Sequence, residues 1–258
     1  MNQFKSSAEL KASAREHLLG HYGVAVGAYL IMGSLVCAIA FAITFIVDLT
    51  TVTGTVIYYA SMFLVSVLMG LFVSGICYLY LKISCGRPVS VGDLFYGFQL
   101  CPDKAIIMQA WLTLITYIAT LPQIVIGYMI NKITLDEGMV LALTERQLTQ
   151  LTKYLVPFAL SFILAEAVSV ILGLIYAQAF YLLHDFPQYS AAELLKKSRR
   201  LMVHHKGRLF YLNVSFIPLF LLGILSFGLA FLWILPYMTA TETEFFLDLI
   251  KNNTEAAV

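Results

Sequence analysis

Charge is what this chain has least of. Charged residues make up 12% of its 258 residues, against about 25% in typical soluble domains. Apolar residues make up 60%, and the mean hydropathy is +0.84. A soluble core cannot use so much apolar surface, so this composition predicts an integral membrane protein. The small net charge of +1 also excludes a protein that binds nucleic acid through bulk electrostatics.

Paired cysteines and the common catalytic motifs are lacking as well. Four cysteines are present, but no two have the C-x-x-C spacing that is typical of zinc sites. The sequence contains no glycine-rich phosphate loop, no His-Glu-x-x-His and no nucleophile elbow. We therefore expect a protein that is not an enzyme and that binds neither a metal nor a cofactor.

Long apolar stretches are what the chain has in abundance. A helix that crosses a bilayer needs about twenty apolar residues. Four stretches meet this requirement: residues 24–47, 56–81, 105–130 and 155–183. A fifth apolar run, from Leu209 to Leu247, is too long for one crossing, and Ser226-Phe227-Gly228 offers a turn in its middle. We interpret this run as two helices, 209–225 and 229–249.

The basic residues indicate on which side of the membrane each connection lies. If the chain has six spans, three of the basic residues fall on one side of the membrane: Lys132, Arg146 and Lys153. The other thirteen fall on the side of the two termini. Since basic residues accumulate in cytoplasmic loops, this distribution predicts an all-α bundle of six transmembrane helices, residues 1–258, with both termini in the cytoplasm. A bundle of five helices remains open.

Two segments that precede membrane spans have the pattern of amphipathic surface helices, residues 6–22 and 190–205. Each opens with Ser, two residues and then Glu, which is the signature of a capping box. In the second segment the apolar residues recur at helical spacing, and a cationic set follows the other face: Lys196, Lys197, Arg199 and Arg200, with Lys206 just beyond. Such a helix lies in the membrane interface and attracts anionic lipid. It either senses lipid or a partner, or it only anchors the topology.

The last third of the chain resembles a known family. Asp185 and Pro187 stand ahead of the second amphipathic segment, Ser198-Arg199 and Met202 lie within it, and Trp233 precedes Pro236-Tyr237. These residues resemble the bacterial integral membrane family catalogued as domain of unknown function number 975. The chain is more distantly similar to the membrane domain fused to some glycerophosphodiester phosphodiesterases. The resemblance implies a multi-pass protein of the bacterial cell membrane, and it brings no established activity.

One ionisable residue, Glu166, lies deep in a predicted span. The chain departs there from the family, in which a Pro-Gly pair is common where Ala165-Glu166-Ala167 stands. At helical spacing, Ser169 and Tyr176 share the face of Glu166, which predicts a polar stripe toward the bundle interior. Glu166 either belongs to a proton- or cation-linked pathway or is a neutral carboxyl that bridges two helices.

These observations favour a scaffold or accessory factor without enzyme activity. Its basic cytoplasmic face would contact anionic lipid head groups, and a membrane-protein partner or a second copy of the chain remains open. The alternative is a transporter or channel for a small solute or ion, with Glu166 in the pathway.

A reporter fused to the C-terminus separates six membrane helices from five. Six helices return the C-terminus to the cytoplasm, so we expect activity from a reporter that works only there. The same reporter inserted after Thr51, between the first two predicted spans, is the control and should be silent. Activity of an external reporter at the C-terminus would contradict the six-helix prediction.

Overall fold

The computed structural model describes residues 4–135 and 145–252, and within them it is helical, without strands. The helices in chain order are α1 (Ser7–Leu18), α2 (Tyr22–Ile46), α3 (Val52–Ser84), a 3₁₀ helix (Val91–Phe98), α4 (Pro102–Leu135), α5 (Glu145–Tyr176), α6 (Ala179–Asp185), α7 (Ala191–Leu201), α8 (Lys206–Val214), α9 (Ile217–Leu225) and α10 (Phe231–Asn252). The all-α fold class is therefore confirmed.

Five helical stretches in the described ranges are long and apolar enough to cross a membrane. They are Tyr22–Ile46, Val52–Ser84, Pro102–Ile130, Leu151–Asp185 and Lys206–Leu225. Each overlaps one of the first five predicted spans. The predicted sixth span, in α10, is not among them, because Glu242, Glu244 and Asp248 stand in its second half.

The chain turns between α9 and α10 where the sequence predicts it. Phe227 and Gly228 have positive φ values of 52° and 90°, so the helix ends there and the direction of the chain changes. Arg208 near the start of α8 donates to Asp248 near the end of α10, at 2.8 Å. Because the two outer ends of this hairpin meet, α10 runs antiparallel to α8 and α9. This arrangement supports a sixth crossing, which stays a prediction.

Capping boxes begin the two predicted surface helices, α1 and α7. The Ser6 amide donates to the Glu9 carboxylate at 2.6 Å, and the Ser190 amide donates to the Glu193 carboxylate at 2.8 Å. The serine hydroxyl accepts from the glutamate amide in both helices. These backbone hydrogen bonds lower the pKa of Glu9 and of Glu193. Both carboxyls are therefore ionised at neutral pH, when they accept best.

The apolar faces of α1 and α7 are covered by protein, which differs from the prediction that they rest on lipid. Leu194 of α7 and Leu18 of α1 are fully buried. α7 packs against α6, and α1 packs against α10. The physical reason is that α6 and α10 offer apolar surface of their own. The apolar faces of α7 and α1 are therefore covered within the chain.

The helices divide into two compact units. The first comprises Met1–Leu35, Leu68–Gln109 and Gly173–Val258, and the second comprises Val36–Val67 and Ala110–Leu172. The first unit has a core of fully buried side chains, among them Leu18, Leu79, Tyr80 and Leu94. The second unit exposes large apolar side chains such as Leu160 and Ile163, as expected of helices that face lipid.

Glycine allows α3 and the 3₁₀ helix of the first unit to touch through their backbones. A Cβ atom on Gly75 would lie 1.8 Å from the carbonyl oxygen of Leu94, and one on Gly97 would lie 2.0 Å from that of Leu71. An ion pair also links the two helices, because the Lys82 ammonium of α3 donates to both carboxylate oxygens of Asp93 at 2.9 and 2.8 Å. The 3₁₀ helix is thus seated directly on α3.

Adding one methyl group tests this contact. We expect Gly75→Ala to destabilise the protein by about 1–3 kcal/mol, because the new Cβ must push two backbones apart. Gly33→Ala in α2 is the matched control, since no atom of the described residues lies within 4 Å of its added Cβ. The control should melt at an unchanged or slightly higher temperature, because alanine favours helix more than glycine does. Equal melting temperatures of the two variants in detergent would contradict this account.

Candidate functional site

The predicted cations of the second surface helix lie together along α7. Lys196, Arg199 and Arg200 are exposed on the face opposite the buried one. The Lys197 ammonium lies 3.9 Å from the ring centroid of Tyr189, a cation–π contact. Lys206 is half-buried at the start of α8 and does not belong to α7. The exposed cations are named together as the α7 basic face: Lys196, Arg199 and Arg200.

The position of α7 is set by contacts on its buried side. Ser198 is fully buried, and its hydroxyl donates to the carbonyl of Ile175 at 3.3 Å. The amide of Gln178 donates to the Met202 sulfur at 3.8 Å. These polar contacts and the buried Leu194 fix both the place and the rotation of the helix. The α7 basic face is therefore presented by an element that is already folded and docked.

A second charged cluster joins the end of α10 to the N-terminal segment. The side chains of Glu244 and Asp248 are each only 4% exposed. His17 Nδ1 donates to Glu244 at 2.8 Å, and the Lys5 ammonium lies 3.8 Å from the same carboxylate. Arg208 donates to Asp248 at 2.8 Å. The four-residue spacing of Glu244 and Asp248, which places both on one helix face, is the signal by which sequence could have found this cluster.

A lysine of α1 also contacts the two residues that separate α8 from α9. The Lys11 ammonium donates to the carbonyl of Ser215 at 3.0 Å and lies 4.0 Å from the ring centroid of Phe216. Ser215 and Phe216 stand between the two helices, where carbonyls lack an intrahelical partner. Burial lowers the pKa of Lys11. A cation from α1 thus satisfies a backbone group that the interrupted helix exposes.

The predicted intramembrane polar residues Glu166, Ser169 and Tyr176 all lie on α5, but none of them is buried. Glu166 is exposed on α5, whereas the adjacent Ala165 is 2% exposed. Successive residues of a helix point about 100° apart, so the buried face of α5 passes through Ala165 and leaves Glu166 outside. The Ser169 hydroxyl donates within its own helix, to the carbonyl of Ala165 at 3.0 Å. Tyr176 is half-buried at the end of α5. The Glu166 side chain thus lies away from the buried face of α5, and its role in a pathway or a helix bridge stays a prediction.

Each unit contains a cavity. In the second unit a cavity of about 660 Å³ is lined by four tyrosines, among other residues: Tyr58, Tyr59, Tyr117 and Tyr128. In the first unit a cavity of about 220 Å³ contains one carboxyl group, that of Glu242. Sequence reasoning missed Glu242, because Thr239 to Glu244 reads as a polar, solvated helix end. In residues 4–135 and 145–252, no group of three His, Cys, Asp or Glu is placed to hold a metal ion.

Removing Asp248 tests the charged cluster. We expect Asp248→Ala to destabilise the protein by about 1–3 kcal/mol, because the Lys5 amide loses its acceptor and Arg208 keeps only the Lys5 carbonyl. Glu16→Ala is the matched control, since Glu16 is exposed on α1. Thermal unfolding in detergent measures both variants. A melting temperature of Asp248→Ala equal to that of the control would show that the cluster is dispensable.

Comparison with known proteins identifies a family for the chain. A search of the curated proteins and a search of the solved structures find no match to the chain. The model of one protein family matches residues 1–253, which is nearly the whole chain. That family is described as "Protein of unknown function (DUF975)". From the matched residues, together with the all-α bundle and its apolar helices, we conclude that this multi-pass membrane protein belongs to the DUF975 family.

Proposed function

We propose that this protein is an accessory factor without enzyme activity, whose α7 basic face binds anionic lipid head groups at the inner leaflet of the bacterial cell membrane. One observation carries the proposal. The apolar side of α7 is buried against the protein, while Lys196, Arg199 and Arg200 stay exposed. In this proposal both termini and the α7 basic face lie in the cytoplasm, in accord with the distribution of basic residues.

The energetics favour head groups over acyl chains as the ligand. Each cation near an anionic surface contributes about 1 kcal/mol of attraction. The helix is folded and docked before lipid arrives, so binding requires no further ordering of its backbone. An apolar insertion of α7 is disfavoured, because its apolar side chains already contact α6. The interaction should therefore be mainly electrostatic and sensitive to salt.

The transport alternative has less support. It relied on Glu166 in a pathway through the bundle, and the Glu166 side chain is exposed on the outside of α5. The likeness to the membrane domain of glycerophosphodiester phosphodiesterases remains a proposal. It is compatible with a module that works beside lipid head groups. A membrane-protein partner or a homo-oligomer that uses the same basic face is an outcome of the test below.

The lipid proposal predicts a charge-dependent stabilisation. We expect phosphatidylglycerol to raise the melting temperature of the detergent-purified protein more than phosphatidylcholine does. Arg199→Gln/Arg200→Gln should weaken the apparent affinity for phosphatidylglycerol by about 30-fold, since two contributions of about 1 kcal/mol are lost. About 1 M salt should weaken wild-type binding in the same direction.

The control for this experiment removes two cations elsewhere. Arg87 and Lys251 are exposed outside α7, so Arg87→Gln/Lys251→Gln changes the net charge equally without altering the α7 basic face. If both double variants lose the same affinity, the cations serve only membrane topology and the proposal fails. If lipid binding persists in both variants but a co-purifying copy or partner is lost from the α7 variant alone, the face binds protein instead.

A further inference from the structure

The 220 Å³ cavity of the first unit is lined by four helices and is partly open to its surroundings. α2 contributes Tyr29 and Met32, α3 contributes Cys77, the α6 region contributes Phe180 and Tyr181, and α10 contributes Glu242. Tyr29 lies seven residues after the start of α2, and Cys77 lies seven residues before the end of α3. Both of these helix ends are on the side of α1. At 1.5 Å per residue, the cavity is about 10 Å from those ends. It therefore lies away from those helix ends and is separate from the α7 basic face.

Glu242 stands in this cavity without a partner from the chain. In the part of the sequence that the structure describes, its carboxylate has no hydrogen bond and no ion pair, whereas Glu244 and Asp248 on the same helix have both. The neighbouring hydroxyls bind one another: Tyr29 and Thr239 at 2.5 Å, and Tyr181 and Thr243 at 3.0 Å. No lysine or arginine is among the lining residues. Glu242 is half-buried, and withdrawing a carboxylate even partly from water without a partner is costly, so a cation from outside the chain is the natural complement.

The residues that line the cavity determine which kind of cation it suits. Tyr29, Phe180 and Tyr181 provide aromatic rings, which attract an ammonium group and also accept its alkyl substituents. Met32 and Cys77 add soft, apolar surface. A bare divalent ion prefers six or more oxygen ligands, and this site provides one carboxylate. A single carboxylate in an otherwise aromatic and apolar cavity therefore matches one positive charge on an organic molecule.

The volume limits the size of the ligand. A water molecule occupies about 30 Å³ of liquid, so 220 Å³ accommodates about seven non-hydrogen atoms. We propose that this cavity binds a small monovalent organic ammonium ion, with its charge at Glu242 and its alkyl groups against Tyr29 and Tyr181. Choline has this size, charge and shape, and it serves as the probe.

The first experiment uses the wild-type full chain, purified in an uncharged sugar detergent. Titration calorimetry measures the affinity for choline and for neohexyl alcohol, its uncharged carbon analogue of nearly the same shape. We expect choline to bind about 10- to 100-fold more tightly, because only choline pairs with a carboxylate. Equal affinities would overturn the proposal, and so would the absence of choline binding. Sodium or potassium chloride at matched ionic strength should not compete, and competition by either would assign the site to a metal cation instead.

The second experiment locates the site with variants. Glu242→Gln keeps the side-chain shape and removes the charge, so choline affinity should fall about 10- to 100-fold. Glu16→Gln removes one exposed carboxylate outside the cavity and should bind choline as wild type does. Ala177→Leu places added carbon atoms in the cavity, which Ala177 lines, and should abolish binding while leaving Glu242 in place. Undiminished binding by both cavity variants would overturn the assignment.

Two further comparisons cover a variant that does not fold and the source of the ammonium ion. If Glu242→Gln does not fold, the comparison of choline with neohexyl alcohol on the wild-type chain still decides the charge requirement. Glycerophosphocholine, compared with choline, decides the source of the ammonium. Tighter binding of glycerophosphocholine supports a lipid head group, and tighter binding of choline supports a free solute. The result is independent of the α7 basic face, because neither Arg199 nor Arg200 lines the cavity.

Discussion

The pairing of the α10 carboxylates with cations from elsewhere in the chain is the interaction on which the first unit depends. Glu244 and Asp248 are largely buried, and each is held by basic groups distant in sequence. Lys5 and His17 come from the N-terminal segment, and Arg208 comes from the start of the C-terminal hairpin. A buried carboxylate that lacks such partners is destabilising. The pairs therefore join the N-terminal segment to both arms of the C-terminal hairpin, α8 and α10.

The same cluster explains why the surface helices are part of the folded core. Once α1 is tied to α10 by charge, its apolar residues face α10 and are buried there. α7 behaves similarly toward α6, with Ser198 bound to a backbone carbonyl. Both helices keep charged side chains exposed, such as Arg15 and Glu16 of α1 and Arg199 and Arg200 of α7. In a unit built in this way the α7 basic face is exposed, and the apolar sides of α1 and α7 are buried within the protein.

Much of this fold can be predicted from sequence, because its signals are local. Apolar length predicts the five crossing stretches, the Ser-x-x-Glu pattern predicts the starts of α1 and α7, and the Ser226–Gly228 segment predicts the turn before α10. Amphipathic spacing shows that a face is apolar, but lipid and protein satisfy that face equally well. The partner of α7 therefore could not be read from its sequence.

The polar sites depended on contacts that sequence does not contain. Glu166 lies within a long apolar run and Glu242 near the end of one, so hydropathy alone favours Glu166 as the internal carboxyl. Which carboxyl is internal depends on helix rotation, and the neighbours of each helix set that rotation. Burial of Ala165 directs Glu166 outward, while Glu242 shares a cavity with residues from three other helices. Only the three-dimensional arrangement distinguishes the two.

The glycine contact at Gly75 has a mechanical consequence. No layer of side chains separates α3 from the Val91–Phe98 segment there, and side-chain rearrangement is what normally absorbs small motions between packed helices. With the Lys82 ammonium bound to Asp93 nearby, α3 and this short helix are held together at two points. A change that displaces one of these two backbones must therefore displace the other, because neither can give way at the contact.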